Sequence, residues 1–114
     1  MKIAIPISGE QLCTHFGHCE KFYFYNVDQK STEIAKTECL QAPPHEPGLL
    51  PTLLGEKGVN VVMAGGMGAR AQELFIRKGI KVITGIDPAG QSPEDIVKNY
   101  LRGSLRTGAN PCDH

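Results

Sequence analysis

The chain has 114 residues, with 12 basic and 12 acidic side chains, so its formal charge is zero. That length suits one domain whose core needs neither disulfides nor a structural metal. The charge balance argues against a general nucleic-acid or membrane-surface binder, and no apolar run is long enough to span a membrane.

The opening residues, Met1-Lys2-Ile3-Ala4-Ile5-Pro6-Ile7, are too short and too soon broken by Pro6 to form a signal peptide, so a cytoplasmic protein is expected. Its four cysteines are then expected to be thiols. Lys2 to Ile7 is β-branched and alternating and predicts a strand. A Gly/Cys/His loop follows from Ser8 to Cys19. Lys21 to Val27, rich in aromatics, predicts a second strand, Asp28 to Ser31 a turn, and Thr32 to Cys39 a third strand. Cys39, inside that strand, reads as a small buried hydrophobe. The proline-rich stretch from Gln41 to Gly48 must be a loop.

The second half changes character. Leu49 to Lys57 predicts a short helix with Pro51 in its first turn. Val59 to Ala64 predicts a buried strand, and Gly65-Gly66-Met67-Gly68 a tight loop. Ala69 to Lys78 predicts a helix stopped by Gly79, and Ile80 to Ile86 another buried strand. Ser92-Pro93-Glu94-Asp95 is a helix start, with an N-cap serine, proline at the first position and early acids. That helix runs to about Arg102. Residues 1–103 therefore read as the domain and 104–114 as a flexible tail. The order βββαβαβα predicts an α/β fold. It is a mixed five-stranded sheet with helices on its faces, the order of a ribonuclease H-like fold.

Three constellations carry chemistry. In Cys13-x-His15-x-x-His18-Cys19, two thiols and two imidazoles crowd one loop, and these are the ligands preferred by zinc, copper and iron–sulfur species. The spacing fits neither a zinc ribbon nor a ferredoxin. Metal handling is favoured over a loop held by histidine hydrogen bonds, while Phe16 reads as a plug for the core. The tail pair Cys112-x-His114 reads alone as a plain terminus, but with the first loop it forms a second clamp. His45 is a weaker candidate. Gly65, Gly66, Met67 and Gly68 precede a helix whose N–H groups, with Arg70, suit an anion. A plain tight turn is an equal reading. Gly66-x-Gly68-x-x-Ala71 also matches a dinucleotide fingerprint with Asp87 beyond it, although one βαβ unit is little for such a fold. The first strand has no acid with which to hold the two metals of a nuclease, and no catalytic motif appears, so no enzymatic activity is expected.

The opening Met1 to Pro6, the triplet His15-Phe16-Gly17 before an aromatic strand, and Gly65 to Ala71 together resemble the nitrogenase iron–molybdenum cofactor biosynthesis family, which includes NifX-like and NafY-like carriers and the C-terminal domain of NifB. The resemblance spans nearly the whole chain. It implies a ribonuclease H-like fold and the binding or carrying of an iron–sulfur or iron–molybdenum-type cluster or its precursor. It places His15 in the family's histidine-phenylalanine-glycine motif. The radical-SAM cysteine triplet of full-length NifB is missing, so that enzyme's cluster-building reaction is not expected.

The leading expectation is a non-enzymatic carrier or scaffold. Cys13, His15, His18, Cys19, Cys112 and His114 are its candidate metal ligands, and Gly65, Gly66, Met67, Gly68 and Arg70 its anion-facing wall. A zinc-binding or redox-sensing module and a nucleotide-binding protein are the alternatives. The expected partners are proteins that donate or accept a metallocluster, with no nucleic acid or membrane, for a monomer or weak homo-oligomer.

Overall fold

The computed structural model describes residues 1–13, 16, 19–28, 30–31, 33–42, 49–105 and 107–108. The readings made for His15, His18, His45, Cys112 and His114 lie outside these residues. Among the described residues the chain forms six strands and three helices. These are β1 (Lys2–Ser8), β2 (Gln11–Leu12), β3 (Lys21–Asp28), β4 (Glu33–Gln41), α1 (Leu49–Glu56), β5 (Val61–Met63), α2 (Ala69–Arg77), β6 (Lys81–Ile83) and α3 (Pro93–Leu101). The sheet order is β4-β3-β1-β5-β6, and β2 pairs with β1. The β1–β3 and β3–β4 pairs are antiparallel, and the β1–β5 and β5–β6 pairs are parallel.

The expected mixed α/β sheet is therefore present, with six strands rather than five. The addition is β2, inside the segment read as a loop. Gly9, at φ 66°, turns the chain back so that Leu12 pairs with Ile7 and Gln11 with Ser8. Two residues are too few to show alternation in a sequence.

Side chains alternate across the strands and build one core on each face of the sheet. Ile3, Ile5 and Ile7 of β1, Tyr25 and Val27 of β3, and Met63 of β5 pack with Ile96 and Val97 of α3. Ala4, Phe22, Phe24 and Val62 pack on the opposite face with Leu54 of α1 and Phe75 of α2. β1 lies in the middle, and its residues 3 to 7 are all buried. The start of α3 is as expected: Ser92 Oγ accepts from the Asp95 N–H at 3.1 Å, and Asp95 Oδ2 accepts from the Ser92 N–H at 3.1 Å.

Two further expectations are corrected. Cys39 is exposed, not buried, because β4 is the outermost strand on its side and Cys39 lies across from the half-buried Tyr23. The strand read as Ile80 to Ile86 shrinks to Lys81–Ile83 and is an edge strand, partly exposed, because Gly85 leaves extended geometry at φ 76°.

Tyr25 is only 4% exposed. Burial, then the neighbouring Glu94 carboxylate and Tyr23, pushes its phenol up to about 12. A raised phenol leaves stability intact below its unfolded value near 10 and removes it as pH climbs from about 10 towards 12. Alkaline titration of phenolate absorbance is therefore expected to show one of the three tyrosines ionising late. Tyr25→Phe should remove that late step and flatten the alkaline loss of stability.

Candidate functional site

β1 and β5 run parallel, so the chain leaves both at one end of the sheet, and β6 ends there too. The carboxyl ends of parallel strands are where open α/β sheets place their ligand loops. Three segments meet here: the Cys/His loop after β2, the glycine loop after β5, and the turn after β6.

Backbone hydrogen bonds stitch them side by side. Cys13 N–H donates to the Pro6 carbonyl at 2.8 Å and Glu20 N–H to the Ile7 carbonyl at 2.9 Å, which fixes both stems of the Cys/His loop on β1. Phe16 N–H donates to the Gly66 carbonyl at 2.8 Å, and Gly85 N–H to the Gly65 carbonyl at 2.8 Å. The Phe16 ring anchors its loop further. It lies 5.8 Å from Phe22 and edge-on to Phe75 at 5.3 Å, so it is the plug expected of it. Cys13 is 5% exposed, Cys19 is half-buried beside the α1/α2 core, and neither is in a disulfide.

The glycine loop follows β5 and opens α2 as expected. Its carbonyls are all taken up inside the protein. Gly65 accepts from Gly85 N–H, Gly66 from Phe16 N–H, Met67 from Gln72 Nε2 at 2.9 Å, and Gly68 from Gln72 N–H at 3.1 Å. A trans peptide points its N–H opposite to its C=O. The amides of Gly66, Met67 and Gly68 are thus turned away from those partners; Gly65, Gly66 and Met67 are buried and Gly68 is exposed. Gly68 is the N-cap of α2 and supplies no side-chain cap to the positive end of the helix. Arg70 is exposed in the first turn. Met67, by contrast, is 1% exposed, and its side chain belongs to the core.

The segment after α3 also reaches this end of the sheet. Ser104 N–H donates to the Asn99 carbonyl at 2.9 Å, and Leu105 packs on the α3-side core. Gly108 N–H then donates to the Gly85 carbonyl at 2.7 Å. The residue whose N–H holds the glycine loop thus accepts the tail through its own carbonyl. Gly85 needs to be glycine twice over: its φ is 76°, and a Cβ there would overlap the Gly108 carbonyl oxygen. From Gly108, Cys112 is four residues on and within about 14 Å of chain.

Of the six candidate metal ligands, the structure describes Cys13 and Cys19, on the two stems of one loop. Among the described residues no group of three or more His, Cys, Asp or Glu side chains is arranged to hold a metal ion. Asp87, noted beyond the dinucleotide-like glycine pattern, turns back on its own segment and accepts from Ala89 N–H at 2.9 Å. An open cleft of about 770 Å³ lies elsewhere, between β4 and α3, with Lys36, Lys98, Arg102, Glu33 and Glu94 on its walls. Its mixed charge and its lack of a thiol set it apart from the stitched loops.

Sequence reading missed Gln72, Gly85 and Gly108. A glycine inside a predicted strand was the available signal for Gly85, since it often marks a close backbone approach. Gly85→Ala is expected to destabilise the protein by more than about 1 kcal/mol. It should also strip hydrogen-exchange protection from the Gly108 amide, while the α3 amides keep theirs.

The chain is similar to known proteins over nearly its whole length. The sequence profile of the family described as dinitrogenase iron-molybdenum cofactor matches residues 1–103. An uncharacterized protein of Methanocaldococcus jannaschii, MJ0580, is 30% identical over 108 residues, covering 92% of this chain and 89% of that protein. The crystal structure of PH0822 superposes with a TM-score of 0.82 at 29% identity over 94% of each chain. The apo form of the orange protein from Desulfovibrio gigas superposes with a TM-score of 0.70 at 23% identity, over 96% of this chain and 94% of that one, a likeness of fold. No described helix is long and apolar enough to cross a membrane.

Proposed function

Since the chain belongs to the dinitrogenase iron-molybdenum cofactor family, we propose that it is a non-enzymatic carrier or scaffold for an iron–sulfur or iron–molybdenum-type cluster or its precursor. The observation that carries this reading is the Phe16 N–H to Gly66 carbonyl hydrogen bond, which brings a thiol-bearing loop against a helix start. Soft thiolates suit the metals of such a cargo. Its net negative charge suits the amides of Gly66 to Gly68, the α2 N-terminus and Arg70.

In this proposal Cys13, Cys19 and Cys112 supply sulfur ligands, with His15, His18 and His114 as imidazole ligands. The Gly85–Gly108 hydrogen bond supports a role for the tail, because it holds the base of residues 109–114 beside the glycine loop. Cys13 is 5% exposed, so in this proposal its thiol must be uncovered before it takes up a metal. The partners are proteins that donate or accept the cluster, and the chain works as a cytoplasmic protein. The strand order β4-β3-β1-β5-β6, antiparallel on one side of β1 and parallel on the other, supports the ribonuclease H-like description of the fold.

Anaerobic reconstitution with iron and sulfide, followed by metal and sulfide counting and absorption spectroscopy, tests the proposal. Retained iron with sulfide-to-metal absorption is expected, and its loss in a Cys13/Cys19/Cys112→Ser variant. Failure to retain iron, or equal retention in the triple variant, overturns it. Zinc kept after aerobic purification without sulfide uptake would support a zinc module instead, and calorimetric binding of NAD or ATP a nucleotide site.

A further inference from the structure

β4 is the longest strand of the sheet and its outermost on that side, with β3 on its inner flank. Among the described residues no strand pairs with its outer flank. The nine residues Glu33–Gln41 therefore carry an outward row of backbone N–H and C=O groups, a template for another strand. Ala35, Lys36, Thr37 and Cys39 are exposed along it.

The charges on this edge are self-complementary in one register. Two copies related by a twofold axis pair antiparallel, and Thr37 is the midpoint of Glu33–Gln41; with the extra residue at Ala35, a pairing centred there is regular over Lys36, Thr37 and Glu38 of each copy. Lys36 of each copy then lies opposite Glu38 of the other. Shifting the axis to Lys36 sets two ammonium groups face to face. Shifting it to Glu38 sets two carboxylates face to face. Directly opposed like charges destabilise a strand pair, and opposed unlike charges stabilise it. Lys36 Nζ and Glu38 Oε1 are 3.4 Å apart within one copy, so both side chains lie on one face of the sheet. Across the axis the four charges alternate in sign around a closed ring.

We propose that the outer edge of β4 is a self-association surface on which a second copy of this chain pairs antiparallel about Thr37. The contact is short. The register shift between Asn26 and Val27 leaves Ala35 as an extra residue, which confines the regular ladder to the stretch from Lys36 onwards. The dimer is accordingly weak and concentration-dependent, and it leaves the stitched loops of the carrier site untouched.

Sedimentation of the full chain over a wide concentration range reads the association. Wild type is expected to pass reversibly from monomer to dimer. Lys36→Glu reverses two symmetry-related pairs at once and should weaken the dimer about tenfold. Adding Glu38→Lys to it should restore the wild-type affinity. Both changes lie on a partly or fully exposed strand, and circular dichroism confirms that the variants fold. In a glutathione redox buffer, a Thr37→Cys/Cys39→Ser variant should form a cross-linked dimer through position 37. Cys39 of wild type should not, because its twofold mate lies four residues along the ladder, about 14 Å away and beyond disulfide reach. A wild type that stays monomeric throughout, a Lys36→Glu variant that dimerises equally well, a double variant that is not restored, or cross-linking through Cys39 rather than position 37 would each overturn the proposal.

Discussion

The hydrogen bond from Phe16 N–H to the Gly66 carbonyl, 2.8 Å long, is the contact on which the candidate site depends. It does two things at once. It ties the Cys/His loop to the glycine loop, and it takes up a carbonyl of the glycine loop. The Phe16 ring makes the bond durable by wedging between Phe22 and Phe75, so that leaving the site would also uncover aromatic surface. The same logic repeats on both sides. Gly85 takes the Gly65 carbonyl and Gln72 takes those of Met67 and Gly68. The loop is buried from Gly65 to Met67 and becomes exposed at Gly68, where α2 begins.

This arrangement needs a stiff base, and β1 supplies it. Residues 3 to 7 of β1 are buried between two cores, one under α3 and one under α1 and α2. Both stems of the Cys/His loop are hydrogen-bonded to the carboxyl half of that strand, at Pro6 and Ile7. The candidate ligands Cys13 and Cys19 thus sit directly at these hydrogen-bonded stems. The two outer strands differ in kind. β6 is three residues long, whereas β4 runs for nine and bears alternating charges, so the two ends of the sheet do not offer equal opportunities for pairing.

The order of elements was legible from local signals in the chain. Hydrophobic alternation, a proline-rich break and strong caps such as Ser92-Pro93 are local signals, and they act within a few residues of where they are read. The sequence also singled out the two chemically unusual stretches, Cys13 to Cys19 and Gly65 to Gly68, because clustered thiols, imidazoles and glycines are visible without coordinates. The tertiary structure decided what only distant residues can decide. It made Cys39 an exposed edge residue, since burial depends on which strand lies outermost and not on the residue's own character. It turned Gln11–Leu12 into a strand through pairing with β1, and it withdrew the Met67 side chain into the core. It also brought Gly108 to Gly85, and through Gly85 to the glycine loop, across 22 intervening residues of the chain. A backbone hydrogen bond has no side-chain signature, so only the folded path of the main chain could join those loops into one site.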